Sequence, residues 1–516
     1  MAICPVEQDQ VIAFLADPAT HQATAPVKQL GTHGAHVFLA GNNAYKIKRA
    51  VRYPYMDFST LERREAACKN EIAVNRDGAP DIYLAAIPIT RDDAGLHLEG
   101  TGEIVEWAVH MRRFDEEATF DKLAERGEIS NQVVDQLART VCDAHGRARH
   151  KSGFAASLRE IIVETAEELE VAQTAMFPGE ATRLRQHMLQ AYDRNLSLLV
   201  RREQNGKVRR CHGDLHLRNL VLQGGKPVLF DAIEFDEKLA SIDILYDLAF
   251  LIMDLCQKGL RDPACRLLNH YLWLSDDEAG EIEGLALLPL FLALRAAIRA
   301  KVMISQAALD ANPDHEQIRG YVLAAIDFLS PPAPRLLAVG GLSGTGKTRL
   351  AYALAGGIGA APGALHLRSD VERKTLFGTS ATARLEKAAY DPAISRQVYQ
   401  HLMKLGGVGL AAGHSVILDA TFRDDQERRA AVNLATDANV PFSGIWLHAP
   451  PAVRLTRVQA RIGDASDATP EVAATQSASD AFPPGWTTLD AAGTPDATCK
   501  TALDLLRRVP ETPKAD

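Results

Sequence analysis

Residues 211–231 read CHGDLHLRNLVLQGGKPVLFD, and this stretch organises the first half of the chain. Two short apolar runs, 220–222 and 227–230, flank the segment QGGK, a pattern typical of a β-hairpin with a glycine turn. Because a hairpin returns its far end to its start, Asn219 and Asp231 are predicted to face the same small volume. An amide oxygen and a carboxylate suit a hard cation such as Mg²⁺.

The same stretch carries residues suited to phosphoryl transfer. That reaction needs a carboxylate beside the acceptor and oxygen ligands that hold Mg²⁺ against a triphosphate. The order His212-Gly213-Asp214, then Asn219, then Asp231 resembles the catalytic segment of the aminoglycoside phosphotransferase and choline kinase branch of the protein-kinase-like fold. The resemblance implies that Asp214 is the catalytic base and that Asn219 and Asp231 are metal ligands. A loop with a capping aspartate and a solvated hairpin is the alternative.

A candidate nucleotide lysine lies upstream in the strand pattern AYKIK, residues 44–48. Strand alternation puts Lys46 and Lys48 on one face; the resemblance implies that Lys46 binds the nucleotide, whereas Lys48 is expected to be solvated. The protein-kinase-like fold pairs this lysine with a glutamate on the following helix. Glu65 and Glu71 both remain candidates by periodicity, and the Cys-x-x-Glu pattern that ends at Glu71 resembles the family and favours Glu71.

Several acidic residues follow Asp231. They could bind a cationic acceptor or simply cap helices, and Asp247 is predicted to be structural because it resembles a Tyr-Asp-Leu-Ala element of this fold. The acids are Glu234, Asp236, Glu237, Asp243 and Asp247.

The segment SPPAP, residues 330–334, interrupts the helical pattern and predicts a short, stiff linker. The resemblance implies that residues 1–329, which precede this linker, form an α+β protein-kinase-like domain with two lobes, similar to aminoglycoside phosphotransferases. Residues 335–506 are predicted to form a second domain, and residues 507–516 a disordered tail.

The second domain opens on GLSGTGKT, residues 341–348, which completes the pattern GxxxxGK[ST] between an apolar strand and a helix. Glycines let backbone N–H groups converge on phosphate, the lysine neutralises phosphate charge and the threonine hydroxyl binds Mg²⁺. This pattern predicts an α/β P-loop domain with a parallel sheet. The predicted nucleotide-binding residues are Gly341, Ser343, Gly344, Thr345, Gly346, Lys347 and Thr348.

Two further motifs predict the chemistry of this domain. Ser369-Asp370-x-x-Arg373 resembles the substrate-activating element of small P-loop kinases, including zeta-toxin-like, gluconate-kinase-like and polynucleotide-kinase-like proteins. The resemblance implies that Asp370 is a general base and that Arg373 contacts the acceptor or a phosphate; an N-cap aspartate followed by a surface arginine is the alternative. Asp419 ends a buried strand, as a Walker B acid does, and is predicted to serve Mg²⁺ through water.

Arg457 and Arg461 lie one helical turn apart on one face. They resemble the lid arginines of the P-loop kinases, which stabilise charge on the transferring phosphoryl group. Solvated helix arginines are the alternative. Residues 463–468, GDASDA, are predicted to form a mobile lid tip.

Composition limits the partners. A net charge of −9 and a pI near 6.0 argue against a general nucleic-acid surface or an anionic-membrane surface, and favour small, metal-complexed substrates. The seven cysteines are scattered without a CxxC pair, so neither a disulfide framework nor a zinc knuckle is indicated. We expect a cytoplasmic protein without a membrane anchor.

The order of the two domains resembles the bacterial family commonly labelled bifunctional aminoglycoside phosphotransferase/ATP-binding protein. The sequence predicts an ATP-dependent phosphotransferase with two ATP–Mg²⁺ sites that phosphorylates hydroxyl groups of small molecules. One alternative makes the first domain a degenerate, regulatory kinase, because the loop GTHG at residues 31–34 lacks the full glycine pattern. Another alternative is a polynucleotide 5′-hydroxyl kinase. Neither the acceptors nor the oligomeric state follow from the sequence.

Overall fold

The computed structural model describes residues 6–32, 34–53, 56–176, 179–307, 314–380, 383–460, 466–467, 470 and 483–508. The chain forms two compact units. Unit 1 comprises residues 1–160 and 199–254, and unit 2 comprises residues 161–198 and 255–516. These units divide the chain at other places than the predicted domains, 1–329 and 335–506, so those domain boundaries stay a prediction.

Strands in the first half form one large sheet and several two-stranded pairs. The large sheet has the order β1-β2-β3-β8-β6-β7, and its neighbours run antiparallel. Strands β10 and β11 pair antiparallel, which confirms the predicted hairpin. The strands are β1 (Lys28–Gly31), β2 (Ala35–Ala40), β3 (Asn43–Lys48), β4 (Arg52–Tyr53), β5 (Met56–Asp57), β6 (Tyr83–Asp92), β7 (Gly95–Leu98), β8 (Glu103–Arg112), β9 (Val208–Arg210), β10 (Leu220–Gln223), β11 (Lys226–Leu229) and β12 (Ser241–Asp243).

Helices make up most of the remaining first half. Thr60 caps α2 by accepting the N–H of Arg63, and α2 buries Cys68 beside Val109 of β8. Within the described residues, none of the helices combines the length and apolarity needed to cross a bilayer. The helices are α1 (Val6–Ala16), α2 (Leu61–Asn75), α3 (Phe120–Glu125), α4 (Asn131–Arg147), α5 (Phe154–Met176), α6 (Glu180–Gln204), α7 (Glu237–Ala240), α8 (Ile244–Gln257), α9 (Arg261–Leu274), α10 (Glu278–Gly284), α11 (Leu288–Ala307) and α12 (His315–Phe328).

The second half contains a five-stranded parallel sheet with the order β14-β15-β13-β16-β17, as the P-loop pattern predicts. Its inner strands β13 and β15 are buried along their whole length, as expected of a parallel sheet covered on both faces. The strands are β13 (Leu336–Gly341), β14 (Leu365–Arg368), β15 (Val416–Asp419), β16 (Phe442–His448) and β17 (Thr487–Asp490). The helices are α13 (Lys347–Ala355), α14 (Ser369–Leu376), α15 (Pro392–Ala411), α16 (Asp425–Asp437), α17 (Pro451–Gln459) and α18 (Pro495–Arg508).

The register of this sheet brings three predicted segments together. Asp419, the last residue of β15, pairs with Val339 of β13 and with Arg368 of β14. Parallel strands place their carboxyl ends at one edge, which is where ligands bind in open α/β sheets. The phosphate loop after β13, the start of α14 and Asp419 therefore share that edge.

Candidate active sites

The lysines of β3 form a buried ion-pair network in unit 1. Lys46 Nζ lies 2.8 Å from Glu71 Oε1 and 2.6 Å from Asp231 Oδ1. Lys48 Nζ lies 2.5 Å from Glu71 Oε2 and also pairs with Glu234. The structure thus pairs Lys46 with Glu71, as the Cys-x-x-Glu pattern favours, and Glu65 forms a surface pair with Lys69 of the same helix.

The expectation of a solvated Lys48 is wrong, because this residue is only 2% exposed. Alternation correctly predicts that both lysines share a face of β3, but that face packs against α2 and its acidic residue. Burial of an ammonium group demands a carboxylate partner, and Glu71 and Glu234 supply two. Sequence reasoning missed Glu234 as a partner, since it lies 186 residues away from Lys48.

Charge pairing sets the protonation of this network. Burial raises the pKa of Glu71, but Lys46 and Lys48 outweigh burial and hold that pKa at about 2. Burial lowers the pKa of Lys46, while Asp231 and Glu71 together raise it well above its ordinary value. Glu71 is therefore ionised at neutral pH, and Lys46 is held as a cation.

Replacement of Glu71 by glutamine should lower the free energy of unfolding by about 3–5 kcal/mol, because two buried ammonium groups lose their shared carboxylate. Urea unfolding measures this loss. The matched control, Glu65→Gln, removes a surface pair on the same helix and should cost about 0.3–0.5 kcal/mol. Equal losses for the two variants would contradict the network.

The effect of Glu71 should also depend on pH. Its folded pKa of about 2 lies below the ordinary 4.5, so its stabilisation is fully present above pH 4.5 and is lost as the pH falls towards 2. The difference between the wild type and Glu71→Gln should therefore narrow only below about pH 4.5. Urea unfolding of both proteins at a series of pH values measures this pH dependence.

Hydrogen bonds join the hairpin to the predicted catalytic aspartate. Asn219 Nδ2 donates to the backbone oxygen and to Oδ2 of Asp214, at 3.0 Å each. The Phe230 N–H donates to the backbone oxygen of Asn219 at 3.1 Å. Because the side-chain nitrogen of Asn219 donates to Asp214, the side-chain oxygen of Asn219, Oδ1, points away from Asp214. That oxygen and the Asp231 carboxylate, which is 42% exposed, form a donor set that fits Mg²⁺.

Asp231 has an unusual backbone conformation. Its φ of 62° lies in the left-handed region, which is uncommon for residues other than glycine but is tolerated by aspartate. The Asp231 N–H donates to Tyr83 Oη at 3.0 Å, and the next N–H, of Ala232, donates to Asn75 Oδ1 at 2.8 Å. These two polar side chains hold the strained turn that directs the carboxylate towards Lys46. Sequence reasoning missed Tyr83 and Asn75, since no motif marks them.

Asp247, a buried residue of α8, positions the turn that precedes Asp214. Its Oδ1 accepts the Gly213 N–H at 2.9 Å, and its Oδ2 accepts the His212 N–H at 3.1 Å. Gly213 has a φ of 83°, and a Cβ at this position would lie 3.0 Å from the Ile233 side chain. The predicted structural role of Asp247 agrees with these contacts.

The other acids after Asp231 also contact protein groups. Asp243 forms a buried ion pair with Arg202 at 2.8 Å, Asp236 caps α7, and Glu237 lies 2.6 Å from Lys151 Nζ. Together with the Glu234–Lys48 pair, these contacts favour structural roles over recognition of a cationic acceptor.

The phosphate loop of unit 2 curls around the start of α13. Gly344 has a φ of 84°, and a Cβ there would come within 2.6 Å of the Arg454 oxygen, so only glycine fits. Lys347 is the first residue of α13, and its Nζ donates to the Leu342 oxygen at 3.2 Å. The loop therefore directs its backbone and an ammonium group to a helix N-terminus, the arrangement that binds phosphate.

Asp419 joins the predicted metal ligands of this site. Thr348 Oγ1 donates to Asp419 Oδ2 at 2.6 Å, and His366 Nε2 lies 3.3 Å from the same oxygen. Burial raises the pKa of Asp419, but His366 and Arg368 lower it to about 2, so the carboxylate is ionised. A hydroxyl and a carboxylate side by side fit Mg²⁺. The alternation of His366 and Arg368 along β14 is a signal that sequence reasoning could have used.

Asp370 and Arg373 both lie on α14. Asp370 is the second residue of this helix and not its N-cap; burial raises its pKa, although Lys347 and Arg368 act to lower it. Arg373 is buried and not on the surface, since its Nη1 donates to the Ala389 oxygen at 2.6 Å. These contacts exclude the surface alternative for the pair.

Only part of the predicted lid lies in the described residues. Arg457 Nη2 donates to the Gly493 oxygen at 3.1 Å, whereas Arg461 lies outside the described residues, as does most of the predicted tip, 463–468. Asp467, which is described, accepts hydrogen bonds from Lys374 Nζ at 2.8 Å and from Tyr390 Oη at 2.7 Å. This residue of the predicted tip is thereby anchored to α14 and to the segment that follows it.

A cleft of about 1270 Å³ unites the predicted residues of the second site. Pockets that hold one drug-sized ligand span roughly 300–1,000 Å³, so this cleft has room for a nucleotide and a small acceptor. Gly341 lies at the end of β13 and does not line the cleft. The predicted residues that line it are Ser343, Gly344, Thr345, Gly346, Lys347, Thr348, Asp370, Arg373, Asp419 and Arg457.

Comparisons with known proteins match each half of the chain to a protein family. The phosphotransferase enzyme family, APH, matches residues 86–284, and an AAA domain family, AAA_33, matches residues 336–483. Protein Rv2004c of Mycobacterium tuberculosis and protein Mb2027c of Mycobacterium bovis are each 31% identical to the chain over 494 residues. That match covers 93% of this chain and 94% of each relative.

Solved structures are similar to each half separately. A choline/ethanolamine kinase family protein from Mesorhizobium loti is 15% identical, with a TM-score of 0.38, over 63% of this chain and 95% of that protein. A sugar kinase from Janibacter is 21% identical, with a TM-score of 0.25, over 34% of this chain and 96% of that protein. The two family matches and the observed sheets confirm the predicted fold classes: a protein-kinase-like fold is followed by an α/β P-loop fold.

Proposed function

Because the chain belongs to the family that joins an aminoglycoside-phosphotransferase-like domain to a P-loop kinase domain, it is a phosphotransferase, and we propose that it has two ATP–Mg²⁺ sites. Each site transfers the γ-phosphate of ATP to a hydroxyl group of a small molecule. The observation that supports this proposal most directly is the same in both halves: a lysine and oxygen ligands suited to Mg²⁺ come together. These groups are Lys46 with Asp231, and Lys347 with Thr348 and Asp419.

In the first site, the residues of the hairpin divide the work. Lys46, held by Glu71, would neutralise phosphate charge, and Asn219 and Asp231 would hold Mg²⁺, which would supply further positive charge to the triphosphate. Asp214 accepts the proton of the acceptor hydroxyl. Its hydrogen bond from Asn219 keeps the base beside the metal ligands, at 3.0 Å between Asn219 Nδ2 and Asp214 Oδ2. Positioning and charge stabilisation supply most of the catalysis in this class of reaction.

In the second site, the phosphate loop holds the triphosphate and Lys347 neutralises its charge. The hydroxyl of Thr348 and, through water, the carboxylate of Asp419 would hold Mg²⁺, which would neutralise charge on the triphosphate. Asp370 accepts the proton of the acceptor hydroxyl, while Arg373 and Arg457, which line the cleft, stabilise charge near the acceptor. Arg461, which lies outside the described residues, is proposed to stabilise the same charge.

The proposed role of Asp370 predicts a pH dependence. Burial raises the pKa of Asp370 above its ordinary 3.8, and a general base works only when it is deprotonated. As the pH is lowered, kcat/KM of the second site should therefore fall, and this fall should be centred above pH 3.8. Asp370→Asn should remove this acid limb and lower the rate by about 10²–10⁴-fold. An unchanged acid limb in the variant would contradict the assignment.

Titration with a non-hydrolysable ATP analogue and Mg²⁺ tests the two-site proposal. The wild type should bind two equivalents, and Lys46→Ala and Lys347→Ala should each weaken a different one of the two binding events. A single binding event that survives in both variants would overturn it.

The small-molecule acceptors are proposed, in addition, from the acidic balance of the chain, with a net charge of −9, which disfavours a polynucleotide. Labelled phosphate retained on a 5′-hydroxyl oligonucleotide would instead favour the polynucleotide kinase.

A further inference from the structure

Three side chains meet in unit 2 outside the cleft that the proposed function uses. Glu278 begins α10, Glu372 lies on α14, and His401 lies on α15. One carboxylate oxygen from each glutamate and one ring nitrogen of His401 all lie within 4.8 Å of one another. Glu372 Oε2 is 3.4 Å from His401 Nε2. Three different helices thus direct one potential ligand each to a single point.

Among the described residues, one buried oxygen of each carboxylate accepts no hydrogen bond. Glu372 is 2% exposed, and among the described residues its Oε2 accepts no hydrogen bond; the buried Oε2 of Glu278 accepts none either. An unsatisfied buried acceptor is rare in folded proteins and costs stability, above all when it carries charge. Carboxylate oxygens within 4.8 Å of each other repel when both groups are ionised, so either a shared proton or a bound cation must offset the repulsion.

We propose that Glu278, Glu372 and His401 bind a divalent transition-metal cation of the Zn²⁺ class. The proposal does not depend on the proposed function. With bonds of about 2.0 Å in a tetrahedral site, neighbouring ligand atoms lie about 3.3 Å apart, close to the distance between Glu372 Oε2 and His401 Nε2. An imidazole together with two carboxylates favours Zn²⁺ or Mn²⁺ over Ca²⁺ and Mg²⁺, which prefer oxygen ligands alone.

The surroundings of the site suit an exchangeable ion. The His401 side chain is 40% exposed, so solvent reaches one ligand and an ion has a route to the two carboxylates. Three protein ligands leave a fourth position to water. Because Glu372 lies between Asp370 and Arg373 on α14, a cation here ties the helix that carries both residues to α10 and α15. The ion would stabilise unit 2 and steady α14.

Calorimetric titration of the full-length, chelator-treated protein with ZnCl₂ tests the proposal. Excess Mg²⁺ and no nucleotide should be present, so that oxygen-only sites do not report. The wild type should bind one equivalent of Zn²⁺, and His401→Ala and Glu372→Gln should each weaken the binding by at least about tenfold. Zn²⁺ should also raise the Tm of the wild type but not that of His401→Ala. The matched control is His315→Ala, at an exposed histidine that begins α12, and should bind as the wild type does.

Two results would overturn the site. One is Zn²⁺ binding that His401→Ala leaves unchanged, because the ion would then lie elsewhere. The other is absence of Zn²⁺ binding by the wild type together with a Tm that Glu278→Gln raises, because a shared proton would then explain the carboxylate pair. His401 is partly exposed, so its alanine variant should fold even if the substitutions at the buried glutamates do not. Circular dichroism of each variant checks the fold.

Discussion

Lys347→Ala should lower phosphoryl transfer at the second site by about 10³-fold. Lys347 is the first residue of α13, and its ammonium group lies beside the phosphate loop, where negative charge develops on the transferring group. The loop GLSGTGKT contains no other lysine. Alanine leaves the backbone N–H groups of the loop in place, so nucleotide binding should weaken less than turnover. Steady-state kinetics measures the two effects separately, as the KM for ATP and as kcat.

The control for this variant is Lys404→Ala, which removes an exposed lysine of α15 outside the cleft. It should leave both kcat and KM unchanged. Thermal unfolding of both variants should match the wild type to within the error of the measurement, since neither change opens a cavity in the core. Full activity of Lys347→Ala would contradict the role of the phosphate loop in phosphoryl transfer.

Asp214→Asn should lower transfer at the first site by about 10²–10⁴-fold, with little change in the KM for ATP. Asparagine has the same shape and keeps one side-chain oxygen for the hydrogen bond from Asn219, so the loop should hold its geometry. It cannot accept the proton of an acceptor hydroxyl at neutral pH, and the loss is therefore expected in kcat. A single-turnover assay separates that loss from changes in binding.

Asp193→Asn, at an exposed aspartate of α6, is the matched control and should behave as the wild type. The Asp214 variant also decides between two functions of the first domain. If Asp214→Asn leaves every measured transfer intact while Lys347→Ala abolishes it, the first domain regulates the second and does not catalyse. If each variant removes a different product, both sites are catalytic.

The sequence by itself determined the parts of this protein that short segments encode. The hairpin after Asn219 and the phosphate loop before Lys347 depend on glycines, apolar runs and turn residues that lie within about twenty positions of one another. Such patterns act through local backbone geometry, which the residues on either side impose whatever the rest of the chain does. The fold classes and the candidate residues of both sites follow from them.

Only the tertiary structure decided which charged groups pair. The sequence suggests that Lys48 is a solvated strand lysine, but in the structure α2 and Glu234 cover it. Only Glu71 lies on the face of α2 that packs on the sheet, and this distinguishes it from Glu65, which forms a surface pair. The carboxylates of Glu278 and Glu372 meet because α10 and α14 both pack against α15, although the two residues are 94 positions apart in the sequence. Contacts of this kind depend on burial and on the positions of whole elements, which no local pattern of residues specifies.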